Sequence, residues 1–159
     1  MIPRFVYSLS ALLLAAGMAA AETHTVTMVN NCGGGSIPTL VQGGKILSTG
    51  EPYTANGRFE TARAFLQQGS KCSIDGMPCT VVEITLGTDD GSGNGSQVNL
   101  SLIPPLAFTV KAGFKYTKGC SSGAVCGDAN CPTAYHVDSD HHALVPCPEP
   151  DNSVEITFC

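Results

Sequence analysis

The chain has 159 residues, including 18 glycines, 10 prolines and 8 cysteines, and its formal net charge is −5. An acidic chain argues against nucleic acid and anionic membranes as partners, because both carry negative charge themselves. The same charge disfavours antimicrobial action by membrane permeation, since cationic surfaces suit that task better. The length fits one domain with a hydrophobic core.

The first 21 residues have the pattern of a secretory signal peptide. Arg4 supplies one positive charge, an apolar run follows, and Ala19-Ala20-Ala21 before Glu22 form a small-residue cleavage site. A membrane anchor is the alternative, but the apolar segment is short and Ala-rich. We therefore expect residues 22–159 to form one secreted, extracellular domain with seven basic and thirteen acidic side chains, and so a net charge of −6.

All eight cysteines lie in the predicted mature domain. An even number in a secreted chain indicates a disulfide framework rather than free thiols or a zinc site. Cys159 ends the chain after the strand-like run Ser153–Phe158, so its partner lies elsewhere. The distant candidate is Cys32, which closes a similar run at the other end. On the loop-entropy view, closing more than about 100 residues stabilises a fold by about 4–5 kcal/mol.

In the first half of the domain, apolar residues recur with the period of two that is typical of strands. Residues 24–30 are predicted to form the first strand, and residues 39–41 a short second strand. Residues 58–67 are interpreted as a strand, with a short helix over residues 60–68 as the alternative. Convincing helix signals are missing, and glycine and proline are frequent.

In the second half, Val81–Leu86 alternates cleanly, with Val81, Glu83 and Thr85 predicted on the outward face. Residues 88–96 are predicted to be a polar hairpin loop, followed by a strand over residues 97–103. Residues 106–110 form another apolar segment, predicted to bury Leu106, Phe108 and Val110. Many short strands separated by turn signals indicate an all-β sandwich.

Two sequons provide candidate N-glycosylation sites. They are Asn94 in the polar loop and Asn99 in the following strand. Asn94 is the more accessible of the two by this interpretation, because it lies among glycines and serines.

Several segments taken together resemble the thaumatin-like protein family. They are Val29-Asn30-Asn31-Cys32, Cys72 with Cys79, Val81–Leu86, Gly119-Cys120, Cys126, Cys131-Pro132-Thr133-Ala134-Tyr135 and Ile156-Thr157-Phe158-Cys159. The chain is similar to the small, single-domain class, with fewer cysteines than that class usually has. The resemblance implies a flattened β-sandwich stapled by four disulfides, namely Cys32–Cys159, Cys72–Cys79, Cys120–Cys147 and, by what remains, Cys126–Cys131.

The resemblance also implies an acidic cleft on the face that carries Glu83. In the family, the matching glutamate helps to line a cleft that binds β-1,3-glucan and, in some members, weakly hydrolyses it. Hydrolysis requires two carboxyl groups about 5–10 Å apart. The family's second carboxylate falls within residues 97–101, where this chain has Asn99, and an amide serves neither as general acid nor as base. The family's arginine just before the glutamate strand is replaced by Met77-Pro78-Cys79-Thr80.

One further carboxylate is available, because Asp138 or Asp140 lies where the family often has an aspartate after Tyr135. We expect a non-catalytic protein, with a weak endo-β-1,3-glucanase that uses Glu83 and Asp138 or Asp140 as the alternative. An ordinary solvated strand position is the other interpretation of Glu83. The predicted ligand-binding residues are Glu83, Thr85, Asn99, Asp138 and Asp140.

The run from His136 to His142 is dense in side chains that bind zinc or copper. It lies in a predicted loop without a fixed period, so we favour a solvated loop and expect no metal and no cofactor. His24 is discounted as an N-terminal copper ligand, because the predicted cleavage site leaves Glu22 as the first residue. Four aromatic residues are candidates for stacking on sugars, although packing within the fold is the favoured interpretation: Tyr53, Phe59, Phe114 and Tyr116.

These observations predict a secreted, monomeric binding protein whose partner is a polysaccharide or a secreted protein. The favoured ligand is cell-wall β-1,3-glucan, in defence, including antifungal defence, or at a host–microbe boundary. Besides the glucanase, the alternative is an inhibitor or effector that acts on a secreted protein, since an acidic surface suits a basic target.

Overall fold

The structure, a computed structural model, describes residues 22–88 and 95–159. The predicted signal peptide, residues 1–21, and the sequon at Asn94 lie outside the described residues, so both stay predictions. Within the described ranges the strands are β1 Thr23–Asn30, β2 Ser36–Gln42, β3 Lys45–Ser48, β4 Tyr53–Asn56, β5 Phe59–Gln68, β6 Val81–Leu86, β7 Ser96–Ser101, β8 Ala112–Lys118, β9 Gly123–Cys126, β10 Ala134–Tyr135, β11 Val145–Cys147 and β12 Ser153–Phe158, with a 3-10 helix at His141–Ala143.

The strands form two sheets, which confirms the predicted all-β sandwich. The smaller sheet has the order β4-β1-β12-β8-β9, and the larger has β10-β7-β6-β5-β2-β3 with β11 also paired to β7. Most neighbouring strands are antiparallel, but β1 pairs with β12 in parallel. A strand forms at residues 59–68, so the strand interpretation of this segment is confirmed and the alternative of a helix is wrong.

The hydrophobic core lies between the inward faces of the two sheets. Along β1, side chains alternate between buried and half-buried, with Val26 and Met28 on the buried side. Strand β6 contributes Val82, Ile84 and Leu86 to the same cluster. Fully burying one such side chain is worth about 1.5–3 kcal/mol, which makes this alternation the main source of the fold's stability.

A second apolar cluster lies on the outer face of the larger sheet. Val81 faces away from the core as predicted, yet it is fully buried, because the loop of residues 69–79 covers it. Gly76 allows this approach, since it has φ +84° and a Cβ there would lie 2.7 Å from Val81 Cγ2. The members of the cluster are Val41, Phe65, Cys72, Cys79, Val81 and Leu106.

The segment after β7 departs from the sequence prediction. Strand β7 ends at Ser101, two residues before the predicted end, and residues 106–110 form no strand. Leu106 and Val110 are buried as predicted, while Phe108 is only half-buried. The segment instead runs over the sheet, held by hydrogen bonds such as that from the Thr80 backbone N–H to Thr109 Oγ1 (3.1 Å).

Four disulfides join the same pairs that the family resemblance implies. They are Cys32–Cys159, Cys72–Cys79, Cys120–Cys147 and Cys126–Cys131. The first links the ends of the parallel strands β1 and β12, where Asn30 is the register partner of Phe158. The described residues contain no free cysteine, and they include no helix with the length and hydropathy to span a bilayer.

Candidate functional site

A row of three polar side chains crosses the outer face of the larger sheet. Arg63 on β5, Glu83 on β6 and Asn99 on β7 are register partners on adjacent strands. Arg63 Nη2 donates to Glu83 Oε1 at 3.1 Å, and Asn99 Nδ2 donates to Glu83 Oε2 at 3.1 Å. Both carboxylate oxygens of Glu83 therefore have a partner before any ligand arrives.

A β-bulge in β5 brings Arg63 into this row. Phe59 pairs with Leu86 and Ala62 pairs with Ile84, so two residues of β5 lie opposite Thr85 alone. Thr61, one of the two, has φ +53°, an uncommon conformation for a β-branched residue. The bulge shifts the alternation of β5, and Arg63 faces outward instead of towards the core.

The structure brings an arginine to this glutamate from a different part of the chain. The position just before β6, where the family has its arginine, is occupied by Met77-Pro78-Cys79-Thr80. Strand β5 supplies it instead as Arg63, through the cross-strand register. Arg63 Nη1 also donates to the backbone oxygen of Asp75 at 3.3 Å, which ties the loop of residues 72–79 to the row.

The row forms the floor of an open groove of about 670 Å³. The β2–β3 turn at Gly43 and Gly44 borders it at one side, and Tyr135 and Asp138 border it at the β7 side. A smaller hollow of about 290 Å³ shares four lining residues with it: Arg63, Glu83, Ile103 and Asp138. The two together give an extended depression across the strands.

Four of the five predicted ligand-binding residues line this groove, namely Glu83, Thr85, Asn99 and Asp138. Asp140 is not among the lining residues. Its Oδ2 accepts hydrogen bonds from the backbone N–H of His136 (2.9 Å) and Val137 (3.1 Å). These two bonds, that of His136 first, hold the pKa of the Asp140 carboxyl below its ordinary value. Asp140 thus orders the loop that carries Asp138.

Besides Arg63, three lining residues with ionisable side chains were absent from the predicted set, namely Asp75, Tyr135 and His141. Asp75 lies in the loop closed by Cys72–Cys79, which the sequence showed only as a tight turn. Tyr135 pairs in parallel with Ser101, and this register places it on the groove face. The family motif contained Tyr135, but nothing in the local pattern showed that β10 would join β7.

Tyr135 is 9% exposed, and its ring packs edge-on against His141 with centroids 6.4 Å apart. Burial, and then the negative charges of Glu83 and Asp140, raise the pKa of its hydroxyl. The hydroxyl consequently stays protonated and able to donate. It has no hydrogen-bond partner in the part of the chain that the structure describes.

The four aromatic residues considered for sugar stacking lie away from the groove. Phe59, Phe114 and Tyr116 are buried in the core, and half-buried Tyr53 packs on Phe59 at 5.5 Å. Tyr116 donates its hydroxyl to the Val145 oxygen at 3.0 Å, and burial raises its pKa. Packing within the fold is thus the role of these rings.

With this geometry in hand, comparison with known proteins identifies the family. A thaumatin-like protein of Oryza sativa subsp. japonica is 30% identical over 172 residues, which cover 92% of this chain and 89% of that protein. The chain belongs to the thaumatin-like protein family. Thaumatin-like pathogenesis-related protein 4 of Avena sativa is 29% identical over 174 residues, 93% of this chain and 94% of the relative. Thaumatin-like pathogenesis-related protein 2 of Avena sativa is 29% identical over 173 residues, which cover 92% of this chain and 94% of that relative. No family model matches the chain.

In this thaumatin-like chain the histidine-rich run forms local contacts. His136 Nε2 donates to the Cys131 oxygen at 2.9 Å, and His142 Nε2 donates to the Pro132 oxygen at 3.1 Å. The described residues bring no three His, Cys, Asp or Glu side chains together as a metal site. His24 is fully buried on β1, and its Nδ1 donates to the Asn152 oxygen at 2.8 Å. The expectation of no metal stays a prediction.

A glycan at Asn99 would be attached to Nδ2, the same nitrogen that donates a hydrogen bond to Glu83. The Asn99 side chain is mostly enclosed, with the residue 8% exposed. A glycan on Nδ2 replaces one of its two hydrogens and would lie beside the Glu83 carboxylate. Glycosylation at this position stays a prediction.

The chemistry of the thaumatin-like groove is that of hydrogen bonding and charge. Arg63, Glu83 and Asn99 satisfy one another, and an amide lies opposite Glu83 where acid–base catalysis needs a carboxyl. Asp75 and Asp138 line the groove, and neither carboxylate has a partner among the described residues. The arrangement suits a ligand that supplies hydrogen-bond donors.

Proposed function

We propose that this protein is a secreted, non-catalytic binder of cell-wall polysaccharide, of which β-1,3-glucan is the first candidate, and that it acts in defence. The names of the oat relatives, thaumatin-like pathogenesis-related proteins, support a defence role. The open groove supports binding of an extended ligand, since its volume is within the usual range of about 300–1,000 Å³ for ligand pockets.

The observation that carries the proposal is the row Arg63–Glu83–Asn99 at the groove floor. It presents a fixed array of a cation, an anion and an amide, held in place by cross-strand hydrogen bonds. Sugar hydroxyls both donate and accept hydrogen bonds, so such an array can orient them. The ion pair also keeps Glu83 in position without help from the ligand.

The same row supports the proposal of a non-catalytic function. A glycosidase needs one protonated and one ionised carboxyl about 5–10 Å apart. Asn99 occupies the register position opposite Glu83, and Asp140 is engaged with its own loop. The weak glucanase alternative then rests on Glu83 with Asp138, which lines the groove.

Pull-down with insoluble β-1,3-glucan tests the proposed binding. The wild-type protein is expected to sediment with the polysaccharide, and Glu83→Ala is expected to weaken this by about tenfold, because one charged contact and the position of Arg63 are lost together. Glu51→Ala is the matched control, since Glu51 is exposed and does not line the groove. Wild-type protein that stays in the supernatant with glucan and with other wall polysaccharides overturns the proposal.

The glucanase alternative has a separate test. Release of reducing sugar from laminarin, lost on Glu83→Gln and on Asp138→Asn, would replace the non-catalytic function with an enzymatic one. We expect no release across the pH range in which the protein is folded, because Arg63 and Asn99 already occupy both carboxylate oxygens of Glu83.

A protein partner is favoured by one specific observation, the apolar side chains at the rim. Met77 is 37% exposed and lines the smaller hollow, and Val137, beside Asp138, is 53% exposed. Exposed apolar groups around a polar centre are a feature of protein interfaces. Saturable binding of a purified basic protein that Met77→Ser abolishes, while glucan binding is unchanged, would establish this second function.

A further inference from the structure

The polar groups of the groove divide into a compensated floor and an uncompensated border. Arg63, Glu83 and Asn99 pair with one another at the floor. At the border, Asp75 and Asp138 are exposed, and neither carboxylate has a partner in the described residues. The free groups that a ligand meets first are thus hydrogen-bond acceptors with negative charge.

Tyr135 adds a hydroxyl without a described partner to the groove. The register Ala134 with Leu100 and Tyr135 with Ser101 turns Ala134 to the core and Tyr135 to the groove. The side chain is about nine-tenths buried, and its hydroxyl has no partner among the described residues. The ring is enclosed while the hydroxyl is not, so the hydroxyl is accessible to a ligand in the groove.

The net charge of the groove decides which ligand this is. Among the described residues, three carboxylates line it, those of Asp75, Glu83 and Asp138, together with one guanidinium, that of Arg63. Two negative charges are therefore uncompensated, and the whole chain is also acidic, with net charge −5. Such a groove repels uronic acids, accepts neutral sugars and attracts cations.

A primary ammonium group fits the free groups best. It carries three donors and no acceptor, which complements two unpaired carboxylates and a hydroxyl. Hydrogen bonds between ionised partners are also about twice as strong as neutral ones. An extended polymer suits the shape, because the main groove of about 670 Å³ continues into the second hollow of about 290 Å³.

We propose that the groove selects a polysaccharide with protonated amino groups, a glucosamine polymer such as deacetylated chitin, over neutral glucans. Asp75 and Asp138 bind ammonium groups of the chain, and the Tyr135 hydroxyl bonds to a neighbouring sugar group. The inference rests on the proposed polysaccharide binding and, within it, puts a cationic polysaccharide ahead of β-1,3-glucan as the preferred ligand. A lysine-rich peptide carries similar ammonium groups, and the experiment below includes it as a competing ligand.

The experiment is calorimetric titration of the mature protein at about pH 5.5, where the amino groups of the sugar are protonated. Oligomers of glucosamine, N-acetylglucosamine and β-1,3-linked glucose are compared at equal length. We expect the glucosamine oligomer to bind at least about tenfold more tightly than the other two, since two charge contacts contribute.

Three variants and one control link this preference to the named residues. Asp75→Asn and Asp138→Asn are each expected to reduce binding of the glucosamine oligomer by about threefold, with little effect on the glucose oligomer. Tyr135→Phe retains the buried ring and is expected to weaken both. Glu51→Gln removes the same charge away from the groove and is expected to leave both unchanged. Thermal unfolding of each variant establishes that it is folded.

The outcomes separate this inference from the proposed function. Equal affinity for the glucose and glucosamine oligomers overturns the inference and leaves polysaccharide binding intact. Failure to bind any of the three oligomers overturns both. A lysine-rich peptide that binds in the groove more tightly than the glucosamine oligomer, and loses affinity on Asp138→Asn, overturns the polysaccharide assignment in favour of a protein partner.

Discussion

The terminal strand pair and the groove face belong to the same β-sandwich, but they are stabilised in different ways. β1 and β12 lie side by side, bury alternate residues and end in the disulfide Cys32–Cys159. The groove face keeps a half-exposed ion pair, two unpaired carboxylates and a residue with positive φ, Thr61. The terminal pair is therefore held by apolar and covalent contacts, whereas the groove face also carries exposed polar groups that are available to a ligand.

Loss of the terminal disulfide should have the largest effect. The bridge spans 127 residues, and the loop-entropy model gives such a closure about 4–5 kcal/mol. We expect Cys32→Ser with Cys159→Ser to lower the free energy of unfolding by about that amount, measured by urea denaturation. Polysaccharide binding of the folded fraction should persist. A loss below about 1 kcal/mol would show that the strand pairing alone holds the ends together.

Two adjacent residues of β6 allow the comparison on a single strand. Ile84 is 1% exposed in the core, and Thr85 lies on the groove face. Ile84→Ala should cost about 2–5 kcal/mol in unfolding free energy, whereas Thr85→Ala should cost less than about 0.5 kcal/mol. Urea denaturation of both variants measures the contrast, and equal losses would contradict the division between core and groove.

Asn99→Asp tests the electrostatics of the floor. A carboxylate at this position lies directly opposite Glu83, and like charges raise the pKa of one group of the pair in the folded state. A raised folded-state pKa means that the destabilisation is present at neutral pH and shrinks as the pH falls through that pKa. We expect a loss of about 1–2 kcal/mol at pH 7 and a smaller loss at about pH 4, measured by urea denaturation at both values. A loss that grows towards acid pH would contradict the geometry.

Arg63→Ala should separate binding from stability. The side chains of Arg63 and Glu83 are 38% and 32% exposed, so their pair is worth no more than about 1 kcal/mol in stability after solvent screening. Glucan binding should fall by about tenfold, because Glu83 loses the partner that orients it. Arg63→Lys keeps the charge but not the planar, multidentate donor geometry of the guanidinium. Its glucan binding should lie between that of the wild type and that of Arg63→Ala. A large loss of stability with unchanged binding would reverse the roles assigned to the two regions.

Glu22→Gln should have the smallest effect. Hydrogen bonds from Thr88, its hydroxyl first, lower the pKa of the Glu22 carboxyl. A carboxyl whose pKa is lowered in the folded state stabilises the protein at pH values above its unfolded pKa of about 4.3. This stabilisation is lost as the pH falls through the folded-state pKa. The variant should be less stable by about 0.5–1 kcal/mol at pH 7 and equal to wild type at about pH 3, by thermal unfolding. A difference that persists at acid pH would show that the contact does not depend on the charge.

The contrast between the regions also explains which features were visible in the sequence. The strands β1 and β6 follow from their alternation, because a half-buried strand needs a period of two. The fold class follows from many such segments with the cysteine pattern of the family. The pairing of Glu83 with Asn99 could also be predicted from the sequence, because β6 and β7 are consecutive strands that pair as a hairpin.

Arg63 was not visible, because strict alternation from Phe59 places it on the core side. The bulge at Glu60 and Thr61 reverses that phase, and no residue type in the sequence marks it. Tyr135 and Asp75 were missed for a different reason. Their positions depend on long-range pairing, of β10 with β7 and of the loop of residues 72–79 with Arg63, which periodicity does not encode.

The most direct test of the groove as the binding site is an NMR titration of the mature protein with a wall oligosaccharide. We predict chemical-shift changes at Arg63, Glu83, Asn99 and Tyr135, which saturate without any release of product. Changes centred on the outer face of the smaller sheet, at Lys115 and Thr157, would contradict it.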